Sequence, residues 1–273
     1  MNRAELTEPN GVRWIPDQHR GAGTLVLGGS SGRIDEQRAR LFAEQGCIAE
    51  SVQWFGGPGQ NPGPWEIPLE TFLARIEGLT RDCDRVYIAG TSFGAEAALA
   101  TAARTPRIAG AIAFAPSDVV WAGVTPDGRQ VSHWTLGGDP LPFVPFDESW
   151  VPGTDPPAFR GLYLSSREAS PARAEAAAIA VERIPVVITV AGGDDQVWPS
   201  VPHAGNIQRR RSARGLGTTV ITDAEAGHRT VLPGESVVSA GMYMRRGGSE
   251  EADRRLGDAA WPAIRALIGA RDS

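Results

Sequence analysis

The sequence predicts an α/β fold, a mostly parallel sheet wound with helices on both faces. Three observations carry that reading. Short β-prone runs alternate with stretches of helical spacing along much of the 273-residue chain. Several of those runs, such as residues 24–27 and 108–116, read as buried strands, as expected when both sheet faces are covered. At residues 85–103 an apolar run, a glycine-bounded turn and an Ala/Leu-rich stretch follow one another as strand, turn and helix.

The elements follow in order. Residues 1–21 are polar around one apolar patch, Val12-Arg13-Trp14-Ile15, and read as an N-terminal arm or an edge strand. Residues 24–27 are a short strand, followed by Gly28-Gly-Ser-Ser-Gly32. Residues 34–44 have helical spacing and end near Gly46. Residues 48–55 are a strand with an aromatic end, and a Gly/Pro loop fills 56–68. A helix over 69–79 puts Leu69, Phe72, Leu73 and Ile76 on one face. The strand and helix at 85–103 come next, then the strand at 108–116. From 117 to 184 the alternation breaks. That segment holds Trp121, Trp134, Pro140-Leu-Pro-Phe-Val-Pro-Phe146, Trp150 and a helix near 171–181. It reads as an insertion lying over the sheet, within a single domain over 1–273. Alternation resumes with a strand at 185–191, the turn Gly192-Gly-Asp-Asp-Gln196, a helix to about Arg211 and a strand at 218–222. A closing helix repeats Leu256, Ala260, Ile264 and Leu267.

Composition removes several function classes. Net charge is −5, which disfavours a nucleic-acid partner. No stretch reaches the roughly 20 apolar residues of a membrane span, and residues 1–20 hold no apolar signal core. Cys47 and Cys83 are scattered and form no disulfide or metal pattern, which fits a reducing cytoplasm. Every strongly basic side chain is arginine, so lysine Schiff bases and Ser–Lys dyads are excluded. The Arg/Ala/Gly bias suggests a GC-rich bacterial genome.

The turn between the strand and helix at 85–103 reads Gly90-Thr-Ser-Phe-Gly94, a G-x-S-x-G pattern. In a strand-to-helix setting this is a nucleophile elbow. The turn is sharp enough to strain the serine, and the residues two before and two after must approach it closely. It lifts the Ser92 hydroxyl above the sheet with free helix N–H groups behind it. A serine hydroxyl needs an adjacent base. Of the four histidines, His19 precedes the sheet, His133 falls in the insertion and His203 in a helix. His228 alone follows the last strand, where the order Ser…Asp…His places the base. The acid belongs in the turn at 192–196, where Asp194 and Asp195 are adjacent. Neighbours in a turn point different ways, so only one can orient the imidazole. Asp195, three residues after Gly192, is preferred.

The oxyanion needs two main-chain donors. Phe93, just after the nucleophile, supplies one. The Gly28–Gly32 loop supplies the other through the amide of Ser30 or Ser31. A dinucleotide-binding turn is excluded because no G-x-G-x-x-G is present. No Walker A lysine exists, and the histidines are too dispersed for a metal site. No cofactor and no metal are expected.

These motifs together resemble the C-terminal catalytic domain of the acyl-CoA thioesterase / bile acid-CoA:amino acid N-acyltransferase family, dienelactone-hydrolase-like members of the α/β-hydrolase superfamily. The residues carrying the likeness are Gly28-Gly-Ser-Ser-Gly32, Ile67-Pro-Leu-Glu70, Gly90-Thr-Ser-Phe-Gly-Ala-Glu96, Ala115-Pro-Ser-Asp-Val-Val-Trp121, residues 140–146, Gly192-Gly-Asp-Asp-Gln-Val-Trp-Pro199 and Ala226-Gly-His228. The likeness runs from about residue 22 to 234. It implies an α/β-hydrolase fold and puts the family's triad on Ser92, Asp195 and His228, in agreement with the order argument. Two departures stand out. Only about twenty residues precede the sheet here, whereas animal-type members carry an N-terminal β-sandwich. The amino-acid-transferring members use cysteine as nucleophile and the thioesterases serine, so Ser92 leans toward hydrolysis.

The expected function is a serine hydrolase of acyl thioesters or esters, acting on a small-molecule substrate. The alternatives are an acyltransferase passing the same acyl group to an amine or alcohol, and a non-catalytic binding protein of the same fold. Trp121, Phe143, Phe146, Trp150 and Trp198 either line an acyl pocket or form the core of the insertion. Arg209-Arg-Arg211 is read as the solvated face of a helix, with attraction of coenzyme A phosphates as the rival. Glu96 either orders the site or pairs with an arginine beneath the sheet.

Overall fold

A computed structural model describes residues 1–238 and 241–269. The first two strands, β1 (Asn2–Thr7) and β2 (Asn10–Ile15), form an antiparallel hairpin. β3 (Ala22–Leu27) is buried along its whole length and leads through the glycine loop to α1 (Glu36–Ala43). Next come β4 (Ile48–Val52), the short β5 (Ile67–Pro68) and α2 (Glu70–Leu79), then β6 (Arg85–Thr91), α3 (Phe93–Ala102) and β7 (Ile108–Phe114). The segment before the next long strand holds β8 (Ala122–Val124), β9 (Gln130–Ser132), β10 (Trp134–Leu136), β11 (Asp139–Pro140), α4 (Arg160–Ala169), α5 (Pro171–Ala176) and a 3-10 turn, Val181–Arg183. The chain closes with β12 (Val186–Gly192), α6 (Ser200–Ser212), β13 (Thr219–Asp223) and α7 (Glu250–Gly269).

Eight strands make the main sheet in the order β1-β2-β4-β3-β6-β7-β12-β13. All pairings from β4 to β13 are parallel. The antiparallel pairs are at the N-terminal edge, where Arg13 stands opposite Glu50 and Trp14 opposite Ala49. Residues 1–15 are therefore two strands of the sheet rather than an arm lying outside it. The alternation of side chains along each strand divides the core. Leu25, Leu27 and Ile88 face one layer, packed under α2, α3 and α6 with Phe72, Ile76, Leu99 and Ile207. Val26, Tyr87 and Ala89 face the other, under α1 and α7 with Phe42, Leu256, Ala260 and Ile264. α3 is buried on every side from Gly94 to Ala102. Its alanines let the helix lie close to the sheet without a side-chain layer between them.

The segment from 117 to 184 leaves the sheet after β7 and returns at β12, which pairs directly with β7. Its small strands pair locally, and β10 joins β5 in parallel, so the loop before α2 is tied to it. The helix expected near 171–181 is α5, which ends earlier, at Ala176, and a further helix, α4, precedes it. α4 went unrecognised because its outer face is polar and it buries only Tyr163 and Ser166. A third core cluster, Val119, Trp121, Val144, Tyr163, Ala174, Ala177 and Trp198, joins this segment to the start of α6.

Candidate active site

Ser92 stands between β6 and α3 with φ 59°, a left-handed value that a non-glycine residue adopts only where surrounding structure enforces it. The enforcement is visible on both sides. Ser92 N donates to Phe114 O at 2.9 Å, and Ser92 O accepts from Ala95 N at 2.8 Å and Glu96 N at 3.0 Å. A Cβ on Gly90 would collide with the Gly94 carbonyl, and a Cβ on Gly94 with the carbonyls of Leu27 and Gly28. Both glycines of the motif are thus required by close approach. Phe93 N opens α3, where a main-chain N–H has no intrahelical acceptor.

The loop after β3 lies against this turn. A Cβ on Gly29 would be 3.5 Å from Ser92 Cβ, and Gly32 N closes the loop on Gly29 O at 2.9 Å. Ser30 and Ser31 are the two residues inside that turn, so their amides are carried on the chain segment next to Ser92.

Asp195 and His228 meet on the neighbouring loops. His228 Nδ1 donates to Asp195 Oδ2 at 2.8 Å, and the carboxylate is completely buried. Asp195 Oδ1 accepts from Val197 N at 2.8 Å and Trp198 N at 3.2 Å, and Ser200 Oγ donates to Oδ2. These donors and the imidazole occupy both oxygens, which locks the carboxylate's orientation. Asp194 points elsewhere: Oδ2 accepts from Gly248 N at 2.8 Å and Oδ1 from Gln196 Nε2 at 2.6 Å. The two adjacent aspartates therefore have separate partners, and only Asp195 touches His228. The buried indole of Trp198 packs between two of these residues, its ring 5.4 Å from that of Phe93 and 5.9 Å from that of His228.

Several residues the sequence reading missed hold these loops in place. Arg38, buried on α1, donates to Thr91 Oγ1 at 2.8 Å, to Thr230 O at 3.1 Å and to both oxygens of Glu235 at 2.7 and 2.8 Å. One guanidinium thus ties the residue before Ser92 to the loop carrying His228. Arg160, at the start of α4, donates through Nη1 to Asp195 O at 3.1 Å and through its main-chain N to Gln196 O at 3.0 Å. A second buried cluster centres on Asp118, which accepts from Arg167 Nη1 and Nη2 at 2.8 Å each, from Asn206 Nδ2 at 3.0 Å and from His203 Nδ1. The His203 and Arg167 contacts hold the Asp118 carboxyl well below the usual carboxylate range, against burial, which acts the other way. These partners lie far apart in sequence, and although Thr91, Asp118 and Asp195 fall within motif stretches, no motif signals how they pair.

Glu96 does not pair with an arginine. It is fully buried, and Oε1 accepts from Trp134 Nε1 at 2.8 Å, Trp121 N at 3.2 Å and His133 Nδ1 at 3.2 Å. The His133 ring packs 4.0 Å from the ring of Phe93. Glu96 therefore fastens the inserted segment to the elbow helix. Glu96→Ala strands three buried donors at about 1–3 kcal/mol each. The variant is expected to lose about 3–5 kcal/mol in urea unfolding, with Glu96→Gln losing less because it keeps an acceptor. A loss under about 1 kcal/mol for Glu96→Ala would show that the network is not held by this carboxylate.

The aromatic candidates separate into groups. Trp121 and Trp198 have no exposed surface and belong to the third core cluster, so they present no area to a ligand in this conformation. Phe146 is half-buried and stacks on Trp121 at 6.3 Å. Phe143 packs on the main core beside Arg173, and Trp150 lies against Phe159 at 5.7 Å. Arg209-Arg-Arg211 is not a uniform solvated face. Arg211 is buried and donates to the carbonyls of Val181, Ile184, Pro185 and Gly217, and Arg210 pairs with Glu182. Among the described residues no group of three or more His, Cys, Asp or Glu side chains could hold a metal ion. No described helix is long and apolar enough to cross a membrane.

A parallel sheet carrying a strained serine elbow after its central strand, with an Asp–His pair on the loops after β12 and β13, defines an α/β hydrolase. Solved structures share this architecture. The chain superposes on a putative dienelactone hydrolase from Klebsiella pneumoniae with TM-score 0.57 and 13% identity, covering 99% of this chain and 98% of that one. It also superposes on an acylaminoacyl peptidase from Pyrococcus horikoshii (TM-score 0.58, 10% identity) and a puromycin-hydrolyzing peptidase from Mycobacterium tuberculosis (0.56, 14%). Those matches cover 97% and 99% of this chain but 40% and 39% of the longer ones. At these identities the likeness is one of fold. No curated protein matches the chain. The model of the BAAT / Acyl-CoA thioester hydrolase C-terminal family matches residues 71–264, well over half of the sequence, and the chain belongs to that family.

Proposed function

We propose that the protein is a serine hydrolase that cleaves acyl thioesters, of the acyl-CoA type, or esters through an acyl-Ser92 intermediate. One observation carries the reading above all. The His228–Asp195 hydrogen bond, 2.8 Å long and buried, lies at the sheet edge where Ser92 is held in its strained elbow. His228 Nε2 accepts the proton of Ser92 Oγ as the oxygen attacks the acyl carbonyl. The Phe93 amide and that of Ser30 or Ser31 donate to the oxyanion. The imidazolium, steadied by Asp195, returns the proton to the departing thiolate or alkoxide. Water then attacks the acyl carbonyl and gives a proton to His228; the acyl–Oγ bond breaks, the imidazolium returns that proton to Ser92 Oγ, and the acid leaves. No cofactor is required by these steps. The thioester substrate rests on the family, and the two unpaired, buried thiols of Cys47 and Cys83 fit a cytoplasmic setting.

A panel of acyl-CoAs and aryl esters, with and without amino acids and followed by mass spectrometry, tests the proposal. Hydrolysis predicts free acid at a rate independent of the amine. An amide or new ester product in place of acid would establish the acyltransferase alternative. Absence of both turnover and an acyl adduct on Ser92 across the panel would leave a binding protein of hydrolase fold.

A further inference from the structure

Asp253 lies in the first turns of α7, outside every motif that points to the site. Its Oδ1 accepts from Gly227 N at 2.7 Å, and its main-chain carbonyl accepts from Val231 N at 3.2 Å. These two bonds bracket His228. Between them His228 N donates to Arg246 O at 3.0 Å, so the imidazole is carried on a loop tied down at three points. We propose that Asp253 is a positioning residue for His228: it clamps the loop on both sides of the imidazole, and its negative charge stabilises the imidazolium that forms during acyl transfer. The inference rests on the reading of His228 as the general base.

The surroundings of Asp253 support a role for charge beyond the clamp. Burial is the main influence on its carboxyl and raises it to about 6; the Gly227 N–H opposes this, Asp195 adds to it, and His228 and Arg229 oppose it. Those three side chains are the charged groups that reach it from the loops packed against α7. The third neighbour, the 246–248 segment, presents main chain at Gly248, while the Arg246 guanidinium turns away to the carbonyls of Met242 and Met244. On α7 itself, Arg254 pairs with Glu250, and Arg255 pairs with Asp223 and Glu225 and, at longer range, with Glu251. The sign of the linkage follows. A carboxyl raised in the folded state contributes stability that is present below its unfolded value, about 4, and is lost as pH rises through about 6. At neutral pH the fold thus carries this ionised carboxylate at a cost in stability. His228 is among the groups that hold the Asp253 carboxyl down, so a charge on either group favours the charge on the other.

The test uses the full chain and a fluorophosphonate probe, reading the rate of covalent labelling at Ser92 as a function of pH. Asp253→Asn keeps an oxygen to accept from Gly227 N and removes the charge. Its labelling should fall by no more than about tenfold on the plateau, with the acid limb moved down by about half to one pH unit. Its Tm at neutral pH should be no lower than that of the wild type. Asp253→Ala also removes the Gly227 tie, leaving only the main-chain bonds on the loop, and should label about 10²-fold more slowly. An Asp253→Asn acid limb that superposes on the wild type overturns the inference. Equal slowing of both variants with the same loss of Tm overturns it too, since that is the signature of a brace alone. Wild-type protein that never labels at Ser92 would instead remove the general-base reading and this inference with it.

Discussion

Ser92→Ala and His228→Ala are expected to lose on the order of 10⁶ in kcat while remaining folded. In the proposed mechanism the two residues act in one proton transfer, so either loss removes nearly the whole effect and the double variant falls little further. The strained backbone sharpens the expectation. Ser92 keeps φ 59° because Phe114 O, Ala95 N, Glu96 N and the close glycines hold its main chain, and none of these contacts uses the hydroxyl. Alanine fits the same turn, so circular dichroism and urea unfolding should match the wild type within about 0.5–1 kcal/mol. Turnover of acyl esters by Ser92→Ala above the residual expected from binding and the oxyanion donors would place the nucleophile elsewhere.

Asp195→Asn should lower kcat by about 10⁴, and Asp194→Asn by less than about tenfold. The asymmetry comes from the partners. An asparagine at 195 keeps an oxygen for Val197 N and Trp198 N, which turns its NH2 toward His228 Nδ1. The imidazole must then accept at Nδ1 and carry its proton on Nε2, the nitrogen that has to take the proton of Ser92. Shape is kept and the tautomer is wrong. At 194 the carboxylate accepts from Gly248 N and Gln196 Nε2, away from the imidazole, and an asparagine oxygen can retain the main-chain bond. Steady-state kinetics on variants whose folding is checked by circular dichroism decides the matter. If Asp194→Asn is crippled and Asp195→Asn is not, the acid is one residue out. If both turn over normally, another carboxylate orients His228.

The parallel sheet was legible because strands buried on both faces require long apolar runs, and the crossovers between them require helical spacing. α4 and the N-terminal hairpin were less so. α4 buries too little to leave a stripe, and β1 and β2 lie at a sheet edge where polar side chains face water. At the candidate site, order and the glycines that a sharp turn demands single out Ser92 and His228. The spacing gave only a preference between Asp194 and Asp195, and the hydrogen bonds show which of them contacts His228. Trp121 and Trp198 illustrate the opposite limit. Composition marks a tryptophan as large and apolar, but whether it faces a ligand or the core depends on what packs over it.

The sequence by itself determined the α/β class, the strand–turn–helix at Gly90–Gly94 and the chain order of Ser92, Asp195 and His228, because each of these lies in a stretch whose own pattern can be read without its partners. Tertiary structure alone decided that Glu96 fastens His133, Trp134 and Trp121, that Arg38 joins Thr91 to Thr230 and Glu235, and that Asp253 brackets the His228 loop. In each case the partners are brought together by the layering of helices on the sheet. The pairing of a buried polar group is set by whatever donor or acceptor the fold delivers to it, and linear spacing carries no record of that.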